Sequence, residues 1–381
     1  MSSFSQVFPS LPLTQLAASA LGTTAEQLAP IVRRGRALTL DDFAALISPA
    51  AEGELETLAR HSQQLTQRNF GKVLRMFAPL YLSNECVNIC KYCGFSRNNP
   101  IPRTTLPIQQ VQHEGALLAG RGFRSLLLVA GEHPKFVSNG YITECIQGLL
   151  AHFPSISLEL GPLETADYLP MVAAGCEGLV VYQETYHRPT YLELHTAGPK
   201  RDFDWRMDTV ERGYAAGFRR LGIGALLGLH DWRHEALAVA AHALHLRKHC
   251  WKAYVTISLP RLRPAAGGFQ PVDPMTDRQL ALLICAFRLL LPQAGLVLST
   301  REGPRLRDGL MPMGITSMSA GASTEPGGYS SFDENWAPGE QKGEQFHIAD
   351  ERPPELVAEA IRRHGYEPVW KDFDRSLVVA D

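Results

Sequence analysis

The chain is short of several things, and each shortage excludes something. No apolar run reaches the roughly 18 residues that a membrane span needs. Neither sign of charge prevails: 37 Lys and Arg face 39 Asp and Glu, for a formal net charge of −2. The basic excess typical of chains that bind nucleic acid or anionic membrane is therefore missing, and neither partner is expected. Early positive charge is missing too. The first arginine is Arg33 and the first lysine Lys72, so the N-terminus reads as mature cytoplasmic protein, not as a secretory or transit peptide. A disulfide framework is not expected either. The cysteines number seven, and a 381-residue chain at 45% hydrophobic content can bury a core without staples.

What is present has two textures. Residues 1–70 carry helix signals and no strand signal. Thr24 and Thr39 precede AEQLAPIVRR and DDFAALIS as N-caps, and Leu55, Leu58, Ala59 and Leu65 recur at roughly helical spacing. This is expected to be a helical N-terminal extension. From Val73, short β-branched runs alternate with longer helical stretches. The runs are Val73–Leu82, Ser125–Val129, Ser155–Leu160, Gly178–Tyr182, Leu221–Leu227, Tyr254–Leu259, Gly295–Ser299 and Ile315–Ser319. Strand alternating with helix argues for βαβ units and a parallel sheet. Eight units over residues 71–321 suggest an α/β fold, a (β/α)8 TIM-type barrel, which typically takes about 250 residues. A doubly wound open sheet is the runner-up. Residues 322–381 are expected to be a C-terminal loop and helix packing on the barrel, with the helix after Pro353 and Pro354. The final EPVWKDFD has no evident place.

Four cysteines, Cys145, Cys176, Cys250 and Cys285, lie in apolar or helical surroundings and read as small buried hydrophobes. Cys86, Cys90 and Cys93 are different. Their C-x3-C-x2-C spacing follows the first strand, where the loops of such barrels carry chemistry. A structural zinc closes its shell with four protein ligands, yet no fourth Cys or His stands near; the next histidine is His113. An iron–sulfur cluster held by three thiolates leaves one iron open for another molecule. A zinc-dependent barrel hydrolase is the competing reading. It normally draws His and carboxylates from several strand ends rather than three Cys from one loop.

With Tyr92 as its aromatic residue, the C-x3-C-x-aromatic-C segment resembles the signature of the radical S-adenosylmethionine (SAM) enzymes. The resemblance implies a [4Fe–4S] cluster on Cys86, Cys90 and Cys93, whose open iron chelates SAM. Ala130-Gly131-Glu132 is similar to the family's GGE-type motif that holds the SAM ammonium, with alanine for the first glycine. By the same resemblance Glu184 binds the SAM ribose, Arg206 the SAM carboxylate, and Gly222-Ile223-Gly224 packs the adenine.

Six longer segments narrow it: YLSNECVNICKYCGFS, LLLVAGEHP, VVYQETYH, SLPRLRP, LSTRE and SMSAGASTEPGGY. They resemble the tyrosine lyases of thiazole and thiamine biosynthesis, the 2-iminoacetate synthases. That resemblance implies cleavage of L-tyrosine at Cα–Cβ to 2-iminoacetate (dehydroglycine) and p-cresol. It also implies a thiazole synthase partner and a flavodoxin-type electron donor. The related tyrosine lyase of hydrogenase maturation carries a second cysteine-bound cluster in a C-terminal domain; here no cysteine follows Cys285. A tryptophan lyase-like enzyme stays open as the alternative, because it shares the barrel and the amine-radical start. A planar guanidinium suits a substrate carboxylate. Arg301 and Ser319, at the ends of the last two strands, are implied in that clamp, with Tyr81 near the substrate amine. The extension and tail are expected to cover the barrel mouth and exclude water and thiols. Candidates for receiving the phenol proton are His133, Glu184, His187, Asp231 and Arg233, all near strand ends.

Overall fold

The computed structural model describes residues 2–330 and 343–370. The eight expected strands all form: β1 (Val73–Ser83), β2 (Ser125–Ala130), β3 (Ser155–Glu159), β4 (Gly178–Val180), β5 (Arg220–Gly224), β6 (Tyr254–Ser258), β7 (Gly295–Leu298) and β8 (Ser317–Ser319). Each runs parallel to the next. The ring then closes, because β8 pairs with β1 in the register Arg75↔Ser317, Met76↔Met318, Phe77↔Ser319. The fold is therefore a closed parallel barrel and not a doubly wound open sheet.

Side-chain parity builds the interior. In β1, Leu74, Met76, Ala78, Leu80 and Leu82 are fully buried against the surrounding helices. The alternate residues Phe77, Pro79 and Tyr81 line the barrel's inner cavity. The same alternation in β3 buries Ile156 and Leu158 outward and leaves Glu159 on the inside. Burying each such leucine or isoleucine contributes about 1.5–3 kcal/mol, so the outer, apolar parity fixes which residues face in.

Before β1 the chain is helical, as Leu13–Gly22, Ala25–Arg34, Leu40–Leu46 and Leu55–Phe70. Thr24 and Thr39 do cap two of these helices, accepting from Gln27 N and Asp42 N. This layer packs on the outside of the barrel, against the helices Trp232–His249 and Asp277–Leu290. Phe4 stacks on His242 with ring centroids 4.2 Å apart, and Arg233 Nε donates to Ile47 O. No residue before Phe77 lines the mouth cavity. The expectation that the extension covers the mouth is thus not met, because its apolar faces are already spent on those outer helices.

The tail does cross the mouth. Residues 343–350 run from the cysteine loop to β7, with Gly94 N donating to Gln345 O, His347 N to Pro264 O and Ala349 N to Thr300 O. Arg307 and Asp350, both fully buried, form an ion pair that anchors this segment. The expected helix follows as Pro354–Arg363. Of the unplaced end, Glu367–Val369 forms β9, parallel to the first residues of β1, and Trp370 meets Phe123 edge-on, while residues 371–381 lie outside the described residues.

Candidate active site

The C-terminal ends of the strands line a cavity whose empty space, counting what lies open to solvent, is about 950 Å³. Tyr81, Tyr92, Cys93, Glu184, Arg301 and Ser319 all stand in its wall, although they come from four separate parts of the chain.

The cysteine loop leaves β1 and is tied down by backbone acceptors. The guanidinium of Arg103 donates to four carbonyls: Asn84 (2.7 Å), Phe95 (2.9 Å), Ser96 (2.6 Å) and Asn99 (3.2 Å). Asn99 Nδ2 in turn holds Cys93 O and Gly94 O. Gly94 lets the tail lie on the loop, since a Cβ there would stand 2.4 Å from Glu344 O. Charge-assisted bonds of this kind contribute about 1.5–3 kcal/mol each, less where partly exposed. Arg103→Leu is therefore expected to lower the iron retained after reconstitution and the melting temperature together, read by iron analysis and thermal scans. Unchanged iron content would separate Arg103 from the loop's order.

All three cysteines of the loop are free thiols. Burial pushes the Cys93 thiol up to about 11 and raises that of Cys90 as well, with the Lys200 ammonium pulling the other way. Left alone, Cys90 and Cys93 stay protonated; a soft metal centre would take thiolates. Among the described residues no three His, Cys, Asp or Glu side chains converge to hold a single ion. That is the arrangement a zinc hydrolase requires. A four-iron cluster makes a different demand, because each thiolate binds its own iron and the sulfurs stay apart. The donor set, three soft ligands on one pinned loop, fits the cluster.

Asn88 bridges this loop to the next elements. Its Nδ2 lies 3.6 Å from Cys86 Sγ and donates to Glu132 Oε2 at 2.7 Å, while its Oδ1 accepts from Lys200 N. Gly131 is small for a packing reason: a Cβ there would sit 2.2 Å from Glu85 O. Tyr92 is buried, and its hydroxyl meets His195 Nε2 at 2.7 Å. His195 Nδ1 faces Tyr191 O, so Nδ1 carries the proton and Nε2 accepts from Tyr92.

Glu184 has a positive φ of 71°, a strained conformation for a residue with a Cβ. Glu235 holds it there from behind, accepting from Thr185 Oγ1 and from Tyr186 N. Burial opposes ionisation of Glu184, but Lys200 (2.6 Å) and Arg206 (3.5 Å) outweigh it and keep its carboxyl below the usual range. Arg206 also donates to Tyr182 O. Glu184 and Arg206 are thus brought together with each other and with Lys200.

Across the cavity, the alternative partners of Arg301 are taken. Glu302 pairs with Arg261, and Asp308 with Arg352. The Arg301 guanidinium makes no hydrogen bond to a described residue; it stacks over the Phe346 ring, 3.3 Å from its centroid. Ser319 Oγ accepts from Thr300 N at 3.2 Å, which leaves its own proton free to donate. The Tyr81 hydroxyl donates to Gln345 Oε1 at 2.8 Å.

Of the five residues considered for the phenol proton, only Glu184 reaches the cavity. His133 accepts from Lys135 N and Phe136 N, and His187 stacks on His230. Asp231 caps the helix Trp232–His249, and Arg233 is held by Ile47 O. Sequence reasoning missed Lys200, Gln345 and Phe346. Lys200 sits in a turn after Gly198, and the other two lie in a Gly- and Pro-rich stretch without periodicity, so no pattern marks them.

The Biotin and Thiamin Synthesis associated domain model matches residues 258–367. A solved structure, HydG, a maturase of the [FeFe]-hydrogenase, superposes with a TM-score of 0.87 at 30% identity, covering 94% of this chain and 79% of that one. With the barrel and its cysteine loop, this makes the chain a radical SAM enzyme. The 2-iminoacetate synthase of Escherichia coli K12 is 46% identical over 89% of both chains. That of Salmonella typhimurium is 44% identical over the same shares. The chain belongs to the 2-iminoacetate synthase family, radical SAM lyases. Among the described residues no helix is long and apolar enough to cross a membrane.

Proposed function

We propose that the chain cleaves the Cα–Cβ bond of L-tyrosine, giving 2-iminoacetate and p-cresol, in the cavity at the barrel mouth. The observation that carries this reading is Arg301. It is a guanidinium without a hydrogen-bond partner among the described residues, lining a cavity beside the free donor of Ser319. Such a fork suits the carboxylate of an amino acid. Cys86, Cys90 and Cys93 would hold the [4Fe–4S] cluster, and Tyr92, Gly131, Glu132, Glu184 and Arg206 would form the SAM side. When bound, the two would supply the radical chemistry for hydrogen-atom removal at the substrate amine and Cα–Cβ cleavage.

The chain's own residues set what that chemistry meets. Arg301 and Ser319 fix the carboxylate and so place the amine, not the phenol, nearest the cysteine loop. Tyr81 borders the amine. Residues 343–350 close the mouth over both, which keeps water and stray hydrogen donors away from a reactive carbon radical. The imine product hydrolyses readily, so a thiazole synthase that consumes it is the proposed partner, with a flavodoxin-type protein as reductant.

A substrate panel tests the reading. Anaerobic enzyme with SAM and dithionite should couple SAM cleavage to product with tyrosine and not with tryptophan. Tryptophan as the better substrate would replace this reading with that of the related tryptophan lyase.

A further inference from the structure

One polar group in the cavity has no role so far. Glu159 ends β3 on the inner parity, and its carboxyl lines the cavity. It makes no hydrogen bond or ion pair with any described residue. The Tyr182 hydroxyl, in the same cavity wall at the end of the neighbouring strand, is engaged with Ser258. In an eight-stranded ring β3 and β7 are four strands apart, so Glu159 faces Arg301 across the mouth. An amino acid clamped by its carboxylate at β7 and β8 extends its side chain toward the opposite wall. The surfaces between are apolar: Phe77, Leu127, Val129 and Val297. A phenol ring fits such walls, but its hydroxyl requires an acceptor there, because a buried donor without one is costly.

We propose that Glu159 accepts the hydrogen bond of the substrate's phenol hydroxyl and is the residue by which the site selects tyrosine over phenylalanine. This rests on tyrosine being the substrate. Burial, with the Glu184 carboxylate next in weight, pushes the Glu159 carboxyl up to about 7 against the pull of Arg301, Lys200 and Arg206, none of which pairs with it directly. The competing role, pairing with the substrate ammonium, predicts something different: it would affect every amino acid alike.

The test measures equilibrium binding of L-tyrosine and L-phenylalanine to the reconstituted holoenzyme with SAM, the cluster left unreduced so that nothing turns over. Above pH 7, where the Glu159 carboxyl is ionised, wild type should bind tyrosine roughly 10- to 100-fold more tightly than phenylalanine, the range expected for a hydrogen bond to a charged acceptor. Glu159→Leu should remove that preference by weakening tyrosine alone. Glu159→Gln, which keeps shape and an acceptor oxygen, should retain part of it and guards against misfolding. SAM binding and iron content should stay at wild-type level in both. Equal losses for tyrosine and phenylalanine, or no loss for either, would overturn the assignment. Formation of p-cresol by wild type checks the substrate separately. If wild type makes p-cresol yet binds both amino acids equally, the Glu159 role fails alone.

Discussion

Replacing any one of Cys86, Cys90 and Cys93 by alanine is expected to remove most of the iron from the reconstituted protein. The visible absorbance of the cluster and all SAM cleavage should go with it. Three thiolates already leave one iron without a protein ligand, and two cannot hold the cube against loss. The scattered cysteines provide the control. Cys145, Cys176, Cys250 and Cys285 are buried in the apolar core, where burial raises each thiol. Their alanine variants should keep full iron, with a stability cost of about 1 kcal/mol or more from the space vacated. Iron and sulfide analysis of the seven variants decides. A scattered cysteine as necessary as the triplet would contradict the ligand assignment.

The second large effect is expected at Arg301. Arg301→Ala removes the carboxylate fork, and losing a charge-assisted hydrogen bond costs about 1.5–3 kcal/mol, or roughly 10- to 100-fold in tyrosine use. Arg301→Lys keeps the charge but neither the planar fork nor the stack on Phe346, so it should fall well short of wild type. Iron content and SAM binding should be unchanged, because Cys86, Cys90, Cys93, Glu184 and Arg206 are untouched. A steady-state titration of tyrosine at fixed SAM checks this. Normal kcat/KM in Arg301→Ala would take Arg301 out of the substrate site.

Much of this site was legible because barrel chemistry follows local rules. The strands announce themselves as short apolar runs, and strand ends point to the mouth, so with the family resemblance Tyr81, Arg301 and Ser319 could be named as candidates without a structure. The cysteine triplet is a local spacing and needs no tertiary knowledge. What stayed hidden depends on long-range contacts. Closure of β8 on β1 was expected from eight βα units, but its register joins residues far apart in sequence, and no local pattern encodes that register. Gln345 reaches Tyr81 through a segment read only as loop, because its order comes from the Gly94 N–H and the carbonyls of Thr300 and Thr324 and not from its own periodicity. β9 was unreadable because Glu-Pro-Val has no alternation; it forms as an edge strand beside β1, where a proline can be accommodated. Glu159 carries no motif of its own; strand parity puts it inside.

The most direct measurement compares p-cresol with 5′-deoxyadenosine in one anaerobic incubation of reconstituted enzyme, SAM, reductant and tyrosine. A lyase of this design, with the amine presented to the radical and the mouth closed by residues 343–350, predicts the two products in equal amounts. It also predicts little 5′-deoxyadenosine when tyrosine is left out. Abundant 5′-deoxyadenosine without p-cresol, whether or not tyrosine is present, would contradict tyrosine cleavage in this cavity.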